Sequence, residues 1–155
     1  MSIPSNAYGL INTLENTAQF LNQHALSWMI IGGAAMVLYG LEDGPVADID
    51  IVLSSSSAAF LSKQFSWPNF ANTQFPRFRS EYLLKPNFGP VPVEILGGFR
   101  VSTMDEWVEV PVGETQMFFI RSQTLFLPTR KKLASIFLLC GREKDRRRMA
   151  LLNGN

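Results

Sequence analysis

The stretch WMIIGGAAMVLYGLEDGPVADIDIVL, Trp28 to Leu53, constrains the fold more than any other part of the chain. It is largely apolar, interrupted by Gly32-Gly33, and ends in an alternating run from Asp48 to Leu53. WMII predicts a short buried strand, AAMVLYG a helix ending near Gly40, and DIDIVL a second strand. LEDGPVA between them is a loop with turn chemistry at Asp43-Gly44-Pro45. Residues two apart on a strand share a face, so Asp48, Asp50 and Val52 point one way, Ile49 and Ile51 the other. Two carboxylates ~6 Å apart repel by roughly 3 kcal/mol at an effective dielectric of about 20. Such a pair needs either water at a strand end or a cation between its members.

The flanking segments supply a sheet and its cover. Residues 8–25 carry Leu10, Leu14, Phe20 and Leu21 at helical spacing. The serines 54–57 read as a loop whose last member caps a helix, AAFLSKQF. RFRSEYLLK and VPVEILGGF predict two strands joined as a hairpin across residues 86–90, and WVEVPVG and TQMFFIR add short strands. LPTRKKLASIFLLCGREKDRRRMALL predicts two helices, the first opening near Pro128 and stopping at Gly141. The expected class is α+β: a mixed sheet flanked by helices, with a C-terminal helical pair. At 155 residues we expect one domain, with residues 1–126 as sheet core and 127–155 as terminal helices.

Composition narrows the chemistry. With 46% hydrophobic and 17% charged residues the chain is an ordinary folded protein, not a disordered one. A single cysteine, Cys140, excludes an internal disulfide, and one histidine, His24, leaves no Cys/His zinc set. His24 falls near the end of the first helix, where a boundary role is expected. The longest apolar run, Trp28 to Leu41, is short of the roughly 20 residues that span a bilayer, and the N-terminus lacks a basic leader region. The expectation is a cytoplasmic protein that does not enter a membrane.

Glu94, inside PVPVEILGG, is an acid with no packing role in an apolar strand, and it is the candidate third carboxylate beside Asp48 and Asp50. Its bland alternative is a solvent-facing position on a half-exposed strand. Three such oxygens suit Mg²⁺ or Mn²⁺, which is commonly held by carboxylates together with substrate phosphates. Gly32-Gly33 lets the backbone approach a phosphate, although no Walker lysine follows and the dinucleotide-binding glycine spacing is missing.

IIGGAAMVLYG…DIDIVL, a later acidic strand and the terminal GREKD together resemble the nucleotidyltransferase superfamily, with its polymerase-beta-like fold. The likeness is to small bacterial members related to abortive-infection toxins and antibiotic nucleotidyltransferases. It implies that Gly32 and Gly33 contact the phosphates of a nucleoside triphosphate. It further implies that Asp48, Asp50 and Glu94 form the catalytic, metal-holding set, and that Lys144, beside Asp145 in the terminal motif, reaches a phosphate. The implied reaction is transfer of a nucleoside monophosphate to a small molecule, a protein or a tRNA. The chain departs from the family where an Arg and a Thr commonly precede the first Asp, here Gly44 and Val46, and in using Glu as third acid. The alternative is therefore a non-catalytic nucleotide- or protein-binding member, and a third reading is a toxin–antitoxin component.

The charge is unevenly spread. No Lys or Arg precedes Lys63, whereas eight lie between Arg130 and Arg148. Consecutive helical residues are about 100° apart, so Arg146, Arg147 and Arg148 cannot all face one site.

Overall fold

A computed structural model describes residues 8–154. Residues 1–7, on which the reading of the N-terminus rests, lie outside them. The elements are α1 (Tyr8–Gln23), β1 (Met29–Ile31), α2 (Gly32–Leu38), β2 (Ile49–Leu53), α3 (Ser55–Phe65), β3 (Phe78–Arg79) and β4 (Tyr82–Leu84). They continue with β5 (Val93–Gly97), β6 (Arg100–Ser102), β7 (Trp107–Glu109), β8 (Thr115–Ile120), β9 (Gln123–Pro128), α4 (Arg130–Cys140) and α5 (Glu143–Leu152). The class is α+β, as expected.

The central sheet has the order β1-β2-β5-β4, with β2 and β5 parallel and the outer strands antiparallel to their neighbours. Its two faces are built by alternation. Ile30, Ile49, Ile51, Ile95 and Leu84 enter the main core, together with Leu14 and Leu21 of α1 and Leu61 of α3. Met29, Ile31 and Val52 turn to the opposite face and pack with Phe99, Val101, and Ile136 and Cys140 of α4. Asp50 and Glu94 belong to this second face, at the end of the sheet where its apolar cover stops.

Four local readings need correction. Ser54, not Ser57, caps α3: its hydroxyl accepts from the Ser57 backbone N–H at 3.1 Å, so the helix starts inside the serine run. The glycines do not merely precede α2; Gly32 and Gly33 are its first residues. RFRSEYLLK is two strands, because Arg79 pairs with Arg100 of β6 while Tyr82 pairs with Gly97 of β5, and the chain changes sheets between them. Finally, QTLFLP is a strand, β9, paired antiparallel with β8 and burying Leu125 and Leu127. The hairpin turns at Arg121-Ser122 with Arg121 in the left-handed region (φ 54°). It lacks the Asn-Gly or Asp-Gly pair that usually announces such a turn.

The terminal helices form as read. Thr129 caps α4 by accepting from the Lys132 N–H at 3.2 Å, and Gly141 ends it in the left-handed conformation (φ 70°). His24 closes the first helical segment with Nδ1 2.8 Å from the Phe20 carbonyl and its ring against Phe20 and Phe65, a boundary role.

Candidate functional site

Asp48 stands just before β2, Asp50 within it, and Glu94 on β5. The parallel register sets Asp50 directly beside Glu94, so two acids from distant parts of the chain become neighbours on one face. One oxygen from each of Asp48, Asp50 and Glu94 lies within 4.8 Å of the others. All three are partly accessible. The Asp50 carboxyl is pushed up to about 7, first by burial, then by the negative charges of Asp48 and Glu94 and a hydrogen bond with Glu94; Arg142 opposes this. A carboxyl held this close to two others has its ionised form disfavoured, which is the condition a bound cation relieves. Three hard oxygen donors suit Mg²⁺ or Mn²⁺, and an octahedral Mg²⁺ spans about 4.2 Å between opposite ligands, near the spread already present. The residues fit a divalent cation.

The glycine turn lies against this group because β1 is antiparallel to β2, with Ile31 paired to Asp50. Gly32 has φ 71°, and a Cβ there would stand 3.1 Å from Asp50 Oδ2. Glycine is required twice over, by conformation and by the approach of the carboxylate. A Cβ on Gly33 would meet Arg148 Nη2 at 3.1 Å. Arg148 reaches this point from α5, held by Glu42 through Nε at 2.9 Å and Nη2 at 3.3 Å.

A second arginine comes from the start of α5. Asp145 is wholly buried and accepts from the Arg142 backbone N–H at 3.0 Å, from Nε at 2.7 Å and from Nη2 at 3.0 Å. This caps the helix and aims the Arg142 guanidinium, whose carbon stands 4.8 Å from the Phe78 ring centroid, into the cleft that contains Asp50. Lys144 is exposed on the same helix and does not line that cleft. Of the Arg146-Arg147-Arg148 run, Arg147 pairs with exposed Glu143 and Arg146 donates to the Gly141 carbonyl; Arg148 alone of the three turns inward to the glycine turn.

No family model matches the sequence, and no curated protein matches it either. Solved structures do. TM1012 of Thermotoga maritima, assigned as a nucleotidyltransferase, aligns with a TM-score of 0.64 at 21% identity, over 100% of this chain and 97% of its own. The lincosamide antibiotic adenylyltransferase LnuA, solved with lincomycin, aligns at 0.56 and 13% identity over 91% and 94%. The antibiotic-resistance factor ANT(2'')-Ia aligns at 0.60 and 10% identity over 94% and 83%. The chain has the nucleotidyltransferase fold.

Within that fold the end of the central strands carrying Asp50 and Glu94 opens into a cleft of about 280 Å³. Its walls come from Gly32 and Ile31, from Leu83 and Leu96 on the neighbouring strands, from α4, and from residues 71–80. Sequence reading of this nucleotidyltransferase-like chain found the acids and the glycines but missed Arg142 and Arg148. Asp145, three residues after the helix-opening Arg142, was the available signal: an acid at that position can cap the helix and draw the arginine with it.

Proposed function

We propose that the chain is a divalent-cation-dependent nucleotidyltransferase, acting as one domain, that moves a nucleoside monophosphate from a nucleoside triphosphate to an acceptor hydroxyl. The observation that carries this reading is the convergence of Asp48, Asp50 and Glu94 within 4.8 Å beside the Gly32 turn. Asp48, Asp50 and Glu94 would hold Mg²⁺ or Mn²⁺. When bound, that ion supplies charge neutralisation for the phosphates and for the departing pyrophosphate. The glycine turn admits the triphosphate backbone-close, because no side chain on Gly32 or Gly33 obstructs it. Arg142 and Arg148 contribute positive charge on either side, each already oriented by an acid, Asp145 and Glu42. In the reaction the acceptor oxygen forms a bond to the α-phosphorus, the bond from that phosphorus to the bridging oxygen of pyrophosphate breaks, and the acceptor proton leaves toward a carboxylate. Glu94, the third acid, is our candidate for that proton.

The test is label transfer. Protein incubated with α-labelled nucleotides, Mg²⁺ or Mn²⁺ and a cell extract should label an acceptor, and Asp50→Asn should lower transfer by roughly 100-fold or more. Equal labelling by wild type and variant would overturn the proposal.

A non-catalytic nucleotide-binding role is the second reading. It draws on Gly44, which offers no side chain, and on Val46, which packs against the main core where relatives commonly place a polar group. Nucleotide stabilisation in a thermal shift that persists without Mg²⁺ and in Asp48→Asn would favour it. Among the described residues no helix is long and apolar enough to cross a membrane.

A further inference from the structure

The cleft beside the acids has a composition of its own. Moving across the sheet from β1 to β4, one meets the glycine turn, then Asp50, then Glu94, then Leu83. The cleft thus starts at the glycine turn, where Ile31, Gly32 and Asp50 line it, and continues past Glu94 to Leu83. Its apolar walls include Phe75, Phe78, Phe99, Leu83, Leu96 and Ile136. The Phe78 and Phe99 rings are 6.0 Å apart and inclined by 35°, so they offer ring surface and not a polar grip. Among the described residues four charged groups line the cleft: the acids Asp50 and Glu94, and the cations Arg79 and Arg142. Arg79 donates to the Thr73 carbonyl and lies 4.4 Å from the Trp107 ring, and among the described residues it has no carboxylate partner. Arg142 lies against Phe78.

We propose that this cleft binds the acceptor, and that the acceptor is a small, uncharged or anionic hydroxyl compound with an apolar ring-bearing body. The inference rests on the transferase reading and adds the substrate class to it. Three features support it. A space of about 280 Å³, part of which lies beside Gly32 and Asp50, leaves room for a compact acceptor body and not for a polymer strand. Apolar walls of aromatic and branched side chains favour a ring over a sugar or a polyamine. With Asp50 and Glu94 neutralised by the bound divalent cation, Arg79 and Arg142 are the remaining charges of the cleft, and they disfavour a positively charged acceptor. A hydroxyl on the end of the ring nearest the sheet would face Glu94 and the α-phosphate, which is the geometry that transfer requires.

Three phenols that differ only at the far end of the ring test this: 4-ethylphenol (neutral), 4-hydroxyphenylacetate (anionic) and tyramine (cationic). Binding is followed by NMR titration of the full chain, with and without Mn²⁺-free Mg²⁺ and a non-hydrolysable nucleoside triphosphate analogue. The neutral and anionic phenols should bind at least tenfold more tightly than tyramine, shifting resonances of Leu83, Leu96 and Ile136. Binding should survive addition of the analogue. Phe75→Ala, at an exposed position whose loss leaves the core intact, should weaken both by several-fold, and Leu83→Trp should block them by filling the cleft. Displacement of the phenols by the analogue would make the cleft a base pocket and overturn the inference. So would equal binding of tyramine. Tenfold tighter binding of N-acetyltyrosinamide than of 4-ethylphenol would transfer the site to a protein side chain and overturn it as well. If the analogue binds with Mg²⁺ but no phenol does, the acceptor class falls while the transferase reading stands. If phenols bind and the analogue does not, the transferase reading falls and the acceptor assignment falls with it.

Discussion

At the residue scale Asp50 holds the site together and strains it. Its carboxyl is raised from 3.8 to about 7, above all by burial and then by Asp48 and Glu94. The folded protein therefore holds this proton more tightly than the unfolded chain does. Asp50 is accommodated fully below about pH 4, and stability is lost as the pH rises toward 7. With allowance for its partial contact with water, the penalty in the metal-free protein above pH 7 is about 1–3 kcal/mol. Asp50→Asn removes the charge at nearly constant size. Without metal at pH 8 the variant should melt about 2–8 °C higher than wild type, and the two should converge near pH 4. Added Mn²⁺ should reverse the order, by stabilising wild type alone. A variant no more stable than wild type at pH 8 would show that the three acids are not crowded as described; calorimetry at the two pH values decides it.

At the element scale the site depends on how α3 and β4 lock β5 into register beside β2. Gly97 ends β5 under α3, and a Cβ there would collide with the Ala58 Cβ and approach the Tyr82 Cβ to 3.1 Å. Neither neighbour is the free end of a flexible side chain, so Gly97→Ala should cost roughly 2–3 kcal/mol. Because Gly97 is three residues from Glu94 on the same strand, the variant should also lose Mn²⁺ affinity, by several-fold, although it touches no ligand. Denaturant unfolding and a metal titration on the same sample test both parts; loss of stability with unchanged affinity would show that β5 keeps its place without this contact. What the sequence disclosed divides along this line. Asp48, Asp50 and the glycines are local, and a period-two strand after a Gly-Gly turn was enough to find them. The Asp50–Glu94 neighbourhood is a matter of register between strands forty residues apart, and no local pattern carries it. Strand β9 escapes the sequence reading for a different, local reason: its hairpin with β8 turns at Arg121-Ser122 without a glycine.

At the scale of the whole molecule the uneven charge acquires a place. The acidic first half supplies Asp48 and Asp50, and the basic last helix is folded back against them, with Arg148 over Gly33 and Arg142 beside Asp50. Lys144, the basic residue singled out from the terminal motif, is exposed on the same helix outside the cleft. The fold explains this: Asp145 is buried at the helix start, which turns Arg142 inward and leaves Glu143 and Lys144 between them exposed. Two segments of the chain, the start of β2 with Asp48 and Asp50 and β5 with Glu94, meet in the proposed divalent-cation site. An electron paramagnetic resonance titration of free Mn²⁺ with wild type and with Asp48→Asn, Asp50→Asn and Glu94→Gln tests it most directly. Wild type should bind Mn²⁺ saturably, and each substitution should weaken that binding by at least tenfold. Indistinguishable binding curves for all four proteins would contradict it.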